Sequence, residues 1–185
     1  MHAYYDTKGT LPPAALYDRN GKPLLSWRVL LLPNMEQQEL YNQFHLDEPW
    51  DSPHNLPLLS QMPQVYAPFN GKPTPRPYTT FYRVFVGPGA AFEGQKGMSL
   101  EKDFLDGTSN TLLIVEAAEA VPWTQPDELA YDPHRPLPQL GGLWPQIFLA
   151  ALADGSVRSF NLTVSEPTLR AWITRNGGDK PGPDS

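Results

Sequence analysis

Apolar residues in the second half of the chain form short runs separated by turn signals. Residues 79–86 are rich in β-branched and aromatic side chains, which predicts a strand. Residues 110–119 are almost continuously apolar, as is typical of a strand in the middle of a sheet. The runs at 147–153 and 156–160 flank an Asp-Gly pair at 154–155 and predict a β-hairpin with a two-residue turn. These patterns together predict an antiparallel sheet.

The first half instead shows the spacing and the caps of short helices. Ser26 is placed to cap one short helix, and the apolar positions within 35–44 form the stripe of a second. A third helix is predicted with Asp51 or Ser52 as its cap and Pro53 at its first position. Its predicted inward-facing residues are Leu56, Leu58, Leu59 and Met62. The first half is therefore expected to be helical but divided into short pieces.

The two ends of the chain carry further signals. Residues 1–6 have the pattern of the last turn of a helix, with no cap before them. Ser165 is expected to cap a closing helix over 166–175, and residues 179–185 are expected to form a flexible tail. The predicted order is helices first, then strands joined by hairpins and loops, and finally one helix. This order is typical of an α+β fold. A length of 185 residues fits one globular domain over 1–185.

Composition narrows the possible function classes. The chain has 22 prolines, a formal net charge of −6 and no cysteine. The prolines predict long ordered loops, with proline-rich segments at 70–78 and 122–145. Because no Lys/Arg cluster occurs, binding to nucleic acid or to an anionic membrane through a basic patch is excluded. The lack of cysteine excludes disulfides, thiol catalysis and zinc–thiolate sites.

Two acidic segments are candidates for metal binding. The segment at 45–54 combines histidines with carboxylates, and the turn that begins at Asp106 offers several oxygen atoms, which favours calcium. Neither spacing matches a ligand motif, so a solvated acidic loop and a hydrogen-bonded turn are the simpler interpretations. No cofactor is predicted, and calcium is the candidate ion at the Asp106 turn. The candidate ligands are Asp103, Asp106, His45, Asp47, Asp51 and His54.

Aromatic side chains supply the other candidate site. Four of them, in or near the acidic and proline-rich loops, could stack against a sugar ring. They are Trp50, Trp123, Tyr131 and Trp144. The alternative is that they belong to the core or anchor the loops. No G-x-S-x-G motif occurs and no acid, base and nucleophile can be assigned, so no catalytic residue is predicted and the chain is not expected to be an enzyme.

Several motifs, taken in order, resemble those of one protein family. They are MHAYYDTKGTLPPAA, SWRVLLLPNMEQQELYNQFHLDEPWDSPHN, DGTSNTLLIVEAAEAVPW, GGLWPQIFLAALADGSVRSF and LRAWITRNGG. In combination they resemble the large planctomycete family of prepilin-like proteins of unknown function, and the resemblance covers nearly the whole chain. Many relatives have a histidine where this sequence has Trp144. A metal or processing role of that histidine is therefore not carried over.

The resemblance implies a pilin-like fold, in which a helix packs on an antiparallel sheet with large proline-rich loop insertions. Members of the family typically carry a prepilin-type cleavage signal and a long apolar helix ahead of the segment that corresponds to residues 2–7. The chain is thus expected to be the soluble domain of a non-catalytic, pseudopilin-like structural subunit of the cell envelope or an extracellular appendage. That missing helix would be its membrane anchor. Its expected partners are other pilin-like subunits or envelope proteins.

The aromatic loops leave a second function open. An extracellular binding module for a glycan, such as a polysaccharide, or for another solute would use exposed rings beside carboxylates. This alternative predicts at least two exposed aromatic rings in one groove.

Overall fold

The N-terminal region consists of short helices around one small hairpin. The structure, a computed structural model, describes residues 1–69, 74 and 76–182. The first elements are helix α1 (His2–Lys8), strands β1 (Ala15–Tyr17) and β2 (Pro23–Ser26), and helices α2 (Trp27–Leu30) and α3 (Gln38–Tyr41). The Ser26 side chain accepts a hydrogen bond from the Arg28 N–H, which confirms the predicted cap of α2. The helix predicted at residues 1–6 corresponds to α1.

The predicted helix over 35–44 is interrupted. A 3-10 turn covers Leu32–Met35, and Glu36, at a φ of 59°, separates this turn from α3. A left-handed residue cannot continue a right-handed helix, so the apolar stripe is divided between two short elements.

The third predicted helix begins later than expected. Its helical turn is of the 3-10 type and starts at Leu56, so the predicted start at Pro53 and the predicted caps are wrong. Ser52 instead accepts a hydrogen bond from the Asn55 N–H within a turn. Leu56 is 44% exposed while Leu58 is buried, because the tighter 3-10 repeat points the side chains in other directions.

A four-stranded antiparallel sheet dominates the second half, in the order β3-β5-β7-β8. The central position predicted for the strand within 110–119 is confirmed, because β5 lies between two neighbours. Strands β4 and β6 form a separate parallel pair. The bounds are β3 (Thr79–Arg83), β4 (Phe85–Val86), β5 (Leu112–Pro122), β6 (Leu129–Ala130), β7 (Ile147–Leu152) and β8 (Val157–Asn161).

Helix α4 (Glu166–Ile173) covers one face of this sheet. The Ser165 side chain accepts a hydrogen bond from the Thr168 N–H, which confirms the predicted cap. Trp172 of α4 packs edge-on against Phe160, with ring centroids 5.2 Å apart, and Phe160 stacks on Phe148. Helices and an antiparallel sheet together confirm the α+β class.

A second core joins the N-terminal region to the chain that follows the sheet's central strand. Trp123, just beyond β5, is fully buried, stacks on Tyr66 at 5.8 Å and meets Phe44 edge-on at 5.9 Å. The two halves of the sequence therefore share this core. Within residues 1–69, 74 and 76–182, no helix has both the length and the apolar character needed to cross a membrane. The predicted loop at 70–78 and the predicted tail at 179–185 fall partly outside the described residues.

Candidate functional site

The two histidines of the acidic segment stack on each other. The rings of His45 and His54 lie parallel, with centroids 3.4 Å apart. His45 Nδ1 lies 2.9 Å from the Glu48 carboxylate, and His54 Nε2 lies 2.8 Å from the Gln43 carbonyl oxygen. Each ring thus uses one of its two nitrogens in a contact within the loop.

A buried asparagine organises the backbone of the same segment. Asn55 accepts a hydrogen bond from the His45 N–H, and its amide group donates to three backbone carbonyls of the loop. Asp47 and Asp51, two further candidate ligands, are exposed. Among the residues that the structure describes, no three His, Asp or Glu side chains come together as a possible metal site. The contacts are those of an asparagine-anchored loop.

The Asp106 carboxylate binds the backbone at the other end of the chain. Its Oδ2 accepts a hydrogen bond from the Gly177 N–H at 2.6 Å, and its Oδ1 accepts one from the Gly178 N–H at 3.0 Å. The Asp106 N–H donates to the Arg175 carbonyl at 2.9 Å. Asp103 similarly accepts a backbone N–H four residues earlier. Asp106 therefore fastens the segment that follows α4 to the turn that precedes β5.

The second Asp-Gly pair forms the tip of the β7–β8 hairpin. The Leu152 N–H donates to the Ser156 carbonyl and the Gly155 N–H donates to the Leu152 carbonyl, so the loop has three residues rather than the predicted two. Gly155 has the expected positive φ, at 88°. The Asp154 carboxylate accepts hydrogen bonds from the Ser156 N–H and hydroxyl at 2.9 and 2.6 Å. These bonds, the hydroxyl's first, lower the pKa of Asp154.

Two of the four candidate stacking residues are enclosed. Trp123 has no exposed surface, so the prediction that it stacks against a ligand is wrong. Tyr131 is 6% exposed, with the Arg170 guanidinium 5.8 Å from its ring centroid. Both rings fill core positions.

The other two candidates are half-buried and have different neighbours. Trp50 packs against the second core, and its backbone N–H donates to the Leu24 carbonyl at 2.8 Å. Trp144 lies beside Phe69, with ring centroids 6.0 Å apart, and Phe69 is 54% exposed. Trp144 and Phe69 thus form an aromatic pair at the surface, which we call the Phe69–Trp144 pair.

An apolar groove of about 340 Å³ runs over the face of the sheet opposite α4. All four strands of the sheet contribute to its lining, together with Met1 and two aromatic residues of the second core, Trp27 and Tyr66. Side chains alternate between the two faces of a strand, so Leu149 and Ala151 face the groove while Phe148 and Leu152 face α4. Its lining includes Met1, Val65, Tyr82, Leu149, Ala151 and Val157.

Polar groups at the groove are few. Glu116, on the central strand, is 1% exposed, and its carboxylate accepts a hydrogen bond from the Leu149 N–H at 2.8 Å. Burial, and secondarily the charge of Glu116, raise the pKa of the Tyr82 hydroxyl. Burial also lowers the pKa of the Met1 amino group, because the protonated amine loses water beside apolar side chains. The groove thus has the chemistry of a surface for apolar groups.

Sequence reasoning missed a buried ion pair. The Arg28 guanidinium is fully buried, donates to the Glu128 carboxylate at 2.9 Å and to the Tyr82 carbonyl at 3.1 Å, and also bonds the Ser26 hydroxyl. Burial raises the pKa of Glu128 against the attraction of Arg28. The partners are 100 positions apart, so no local spacing could indicate the pair.

Residues 1–85 match the model of a family described as "Protein of unknown function (DUF1559)". The matched part includes α1, the small N-terminal hairpin and the first strand of the sheet. This part of the chain is therefore similar to an uncharacterised family, and the similarity assigns no activity to it. The curated proteins and the solved structures yielded no match to the chain.

Proposed function

We propose that the chain is the globular part of a non-catalytic, pseudopilin-like structural subunit of the cell envelope or an extracellular appendage. The proposal starts from the motifs that resemble the planctomycete prepilin-like family. The match of residues 1–85 to a family of unknown function is compatible with it but names no assembly. Its partners would be other pilin-like subunits or envelope proteins.

The position of Met1 is the observation that carries the proposal. Helix α1 begins beside the open groove, and Met1 is partly exposed rather than enclosed in the middle of the domain. No side chain caps the first turn of α1. A helix that continued upstream would satisfy the free N–H groups of this turn with its own carbonyls.

The engagement of the acidic side chains supports a structural role. Asp106, Asp154 and Glu116 each accept hydrogen bonds from backbone N–H groups, and Asp106 joins segments more than 70 positions apart. A carboxylate that holds the backbone in this way stabilises the fold, so these three acidic groups are engaged in structural contacts.

The upstream codons of the gene and the behaviour of the full-length product test the proposal. We expect the gene to encode a prepilin-type cleavage signal and an apolar helix of about 20 residues, the length that spans a bilayer. The product should fractionate with the cell envelope, and negative-stain microscopy should be used to look for filaments. A gene without an apolar helix, or a product found in the cytosol, would refute the proposal.

The Phe69–Trp144 pair favours glycan or solute binding as a second candidate function. Two neighbouring aromatic rings at the surface, one of them more than half exposed, offer a stacking platform. Tryptophan fluorescence should change on titration with polysaccharide, and the change should be lost in Phe69→Ala. Trp50→Phe serves as the control, because it removes a half-buried tryptophan outside the pair. An unchanged spectrum at saturating polysaccharide would rule this function out.

A further inference from the structure

We propose that Asn176 is a latent deamidation site, which the Asp106 carboxylate keeps unreactive and which opens when the contact between Asp106 and Gly177 breaks. The inference is independent of the proposed function, because it concerns the chemistry of the chain itself. Asparagine followed by glycine is prone to deamidation, since glycine has no side chain to hinder the approach of its backbone nitrogen. The sequence has three such pairs, at 20–21, 70–71 and 176–177. The middle pair lies outside the described residues.

The reaction needs only the chain and water. The Gly177 backbone nitrogen loses its proton and attacks the side-chain carbonyl carbon of Asn176. The new carbon–nitrogen bond closes a succinimide ring, the bond to the side-chain NH2 group breaks, and this group leaves as ammonia with the proton that the backbone nitrogen gave up. Water then opens the ring at one of its two carbonyls, which gives aspartate or isoaspartate.

The Asp106 carboxylate binds the nitrogen that would have to attack. The Gly177 N–H donates to Asp106 Oδ2 at 2.6 Å, and the Gly178 N–H donates to Oδ1 at 3.0 Å. The attacking nitrogen is an anion, and a carboxylate this close disfavours a second negative charge through Coulomb repulsion. The proton must also be freed from a hydrogen bond to a charged acceptor, which is stronger than a bond to a neutral one. Both effects slow the attack.

The backbone is also held on the other side of Asn176. The Arg175 N–H donates to the Gly89 carbonyl at 2.7 Å, and the Arg175 carbonyl accepts the Asp106 N–H at 2.9 Å. Attack requires a rotation of the backbone that brings the Gly177 nitrogen against the side-chain carbonyl. The flanking hydrogen bonds to two separate segments of the chain oppose this rotation. Asn176 itself is exposed, so water reaches it once the contact opens.

The exposed Asn20 provides a comparison within the same chain. It precedes Gly21 in the turn between β1 and β2, where the Gly21 N–H donates to the Asp18 carbonyl at 3.1 Å. The Asp18 carboxylate binds the N–H groups of Asn20 and Lys22, not that of Gly21. The acceptor at the attacking nitrogen is thus neutral and more distant. Asn20 should therefore deamidate in the folded protein much faster than Asn176.

Deamidation would make the release of the segment after α4 permanent. An aspartate in place of Asn176 adds a carboxylate beside that of Asp106, and like charges repel. Isoaspartate instead lengthens the main chain by one methylene group, so the N–H groups of Gly177 and Gly178 no longer match the two carboxylate oxygens. A reversible contact would become an irreversible detachment of this segment from the turn before β5.

Peptide mapping by mass spectrometry tests the inference. The parent, Asp106→Ala and Asp103→Ala are incubated at mildly alkaline pH, and aspartate and isoaspartate are quantified at Asn20 and Asn176. Asp103→Ala is the matched control, because that carboxylate holds one N–H within its own turn. Samples kept unfolded in urea give the rates of both pairs without structure. Circular dichroism checks that each variant is folded, and Asp106→Ser replaces Asp106→Ala if the alanine variant is not.

The expected result is protection at one asparagine only. In the folded parent Asn176 should react at least about tenfold more slowly than in urea, because a hydrogen bond to a charged group must first break. Asp106→Ala should remove most of this protection and leave the rate at Asn20 unchanged, whereas Asp103→Ala should match the parent.

The opposite results are equally clear. If Asn176 of the folded parent reacts as fast as in urea, the site is not latent and the inference is wrong. If Asn176 stays protected in a folded Asp106 variant, the carboxylate is not what protects it, and the inference is overturned as well. The same holds if Asp103→Ala speeds the reaction as much as Asp106→Ala does.

Discussion

The same dipeptide, Asp-Gly, opens two turns of this protein and has two different structural consequences. At the β7–β8 hairpin, the Asp154 carboxylate binds Ser156, two residues away, and its backbone N–H donates to the Thr108 carbonyl. At the entrance to β5, Asp106 bonds Gly177 and Gly178, more than 70 residues away. Both glycines lie at positive φ, 97° at Gly107 and 88° at Gly155, and Gly107 has a ψ of 141°.

The comparison shows that a turn motif specifies the local backbone geometry but not which segment the aspartate side chain binds. A glycine at positive φ is all that either sequence predicts. Whether the aspartate serves its own turn or fastens a distant segment depends on what packs beside it. Substitutions in the turn at Asp106 should therefore lower the free energy of unfolding more than substitutions in the turn at Asp154.

Gly107→Ala should have the largest effect. The backbone of Gly107 lies outside the left-handed helical region that other residues tolerate, so a Cβ is strained there. We expect a loss of about 2 to 3 kcal/mol in the free energy of unfolding, measured by urea denaturation. A loss no larger than that of Gly155→Ala would remove the distinction between the two glycines.

Asp106→Ala should come next. It removes the acceptor of two backbone N–H groups, and because the carboxylate is partly exposed, water can replace part of the loss. We expect about 1 to 2 kcal/mol, together with faster amide hydrogen exchange at Gly177 and Gly178. Asp103→Ala is the matched control, since that carboxylate holds one N–H within its own turn. Unchanged exchange at the two glycines would contradict the fastening role.

Gly155→Ala should cost about 1 kcal/mol through the positive φ. An added Cβ would also come within 2.9 Å of His2 Cε1. The double variant with His2→Ala should recover the part due to this contact and leave the backbone part. If His2→Ala recovers nothing, the histidine moves aside and the cost is that of the backbone alone.

Asp154→Asn should have the smallest effect, below about 0.5 kcal/mol, because asparagine serves the same turn. In the parent protein the ionisation of the Asp154 carboxyl can instead be followed by titration. The pKa of Asp154 is lowered, so its bonds stabilise the fold above pH 3.8 and are lost as the pH falls through the folded-state value. Ser156→Ala should raise this pKa in an NMR titration. No change would show that the hydroxyl bond is absent in solution.

Sequence reasoning succeeded where neighbouring residues decide the structure. The caps at Ser26 and Ser165 and the Asp-Gly hairpin depend on residues at most five positions apart. It failed at Pro53, where the choice between an α-helix and a 3-10 turn depends on how the loop is anchored by Asn55.

The site was less predictable than the fold. The apolar groove has a sequence signal in the uninterrupted apolar pattern of β7, but the pattern does not say which face lacks a cover. Trp123 resembled the other loop tryptophans in its surroundings along the chain, yet it is a core residue. Contacts between distant segments decide both cases.

The ion pair between Arg28 and Glu128 limits how this polypeptide can be shortened or synthesised in parts. A fragment that ends at residue 85 would contain the buried guanidinium without its partner carboxylate and without Trp123. An unpaired buried charge is costly, so such a fragment should not fold as an independent unit. During translation we therefore expect the first half to remain incompletely folded until residue 128 has left the ribosome. Chaperone dependence of the nascent chain is the physiological consequence to look for.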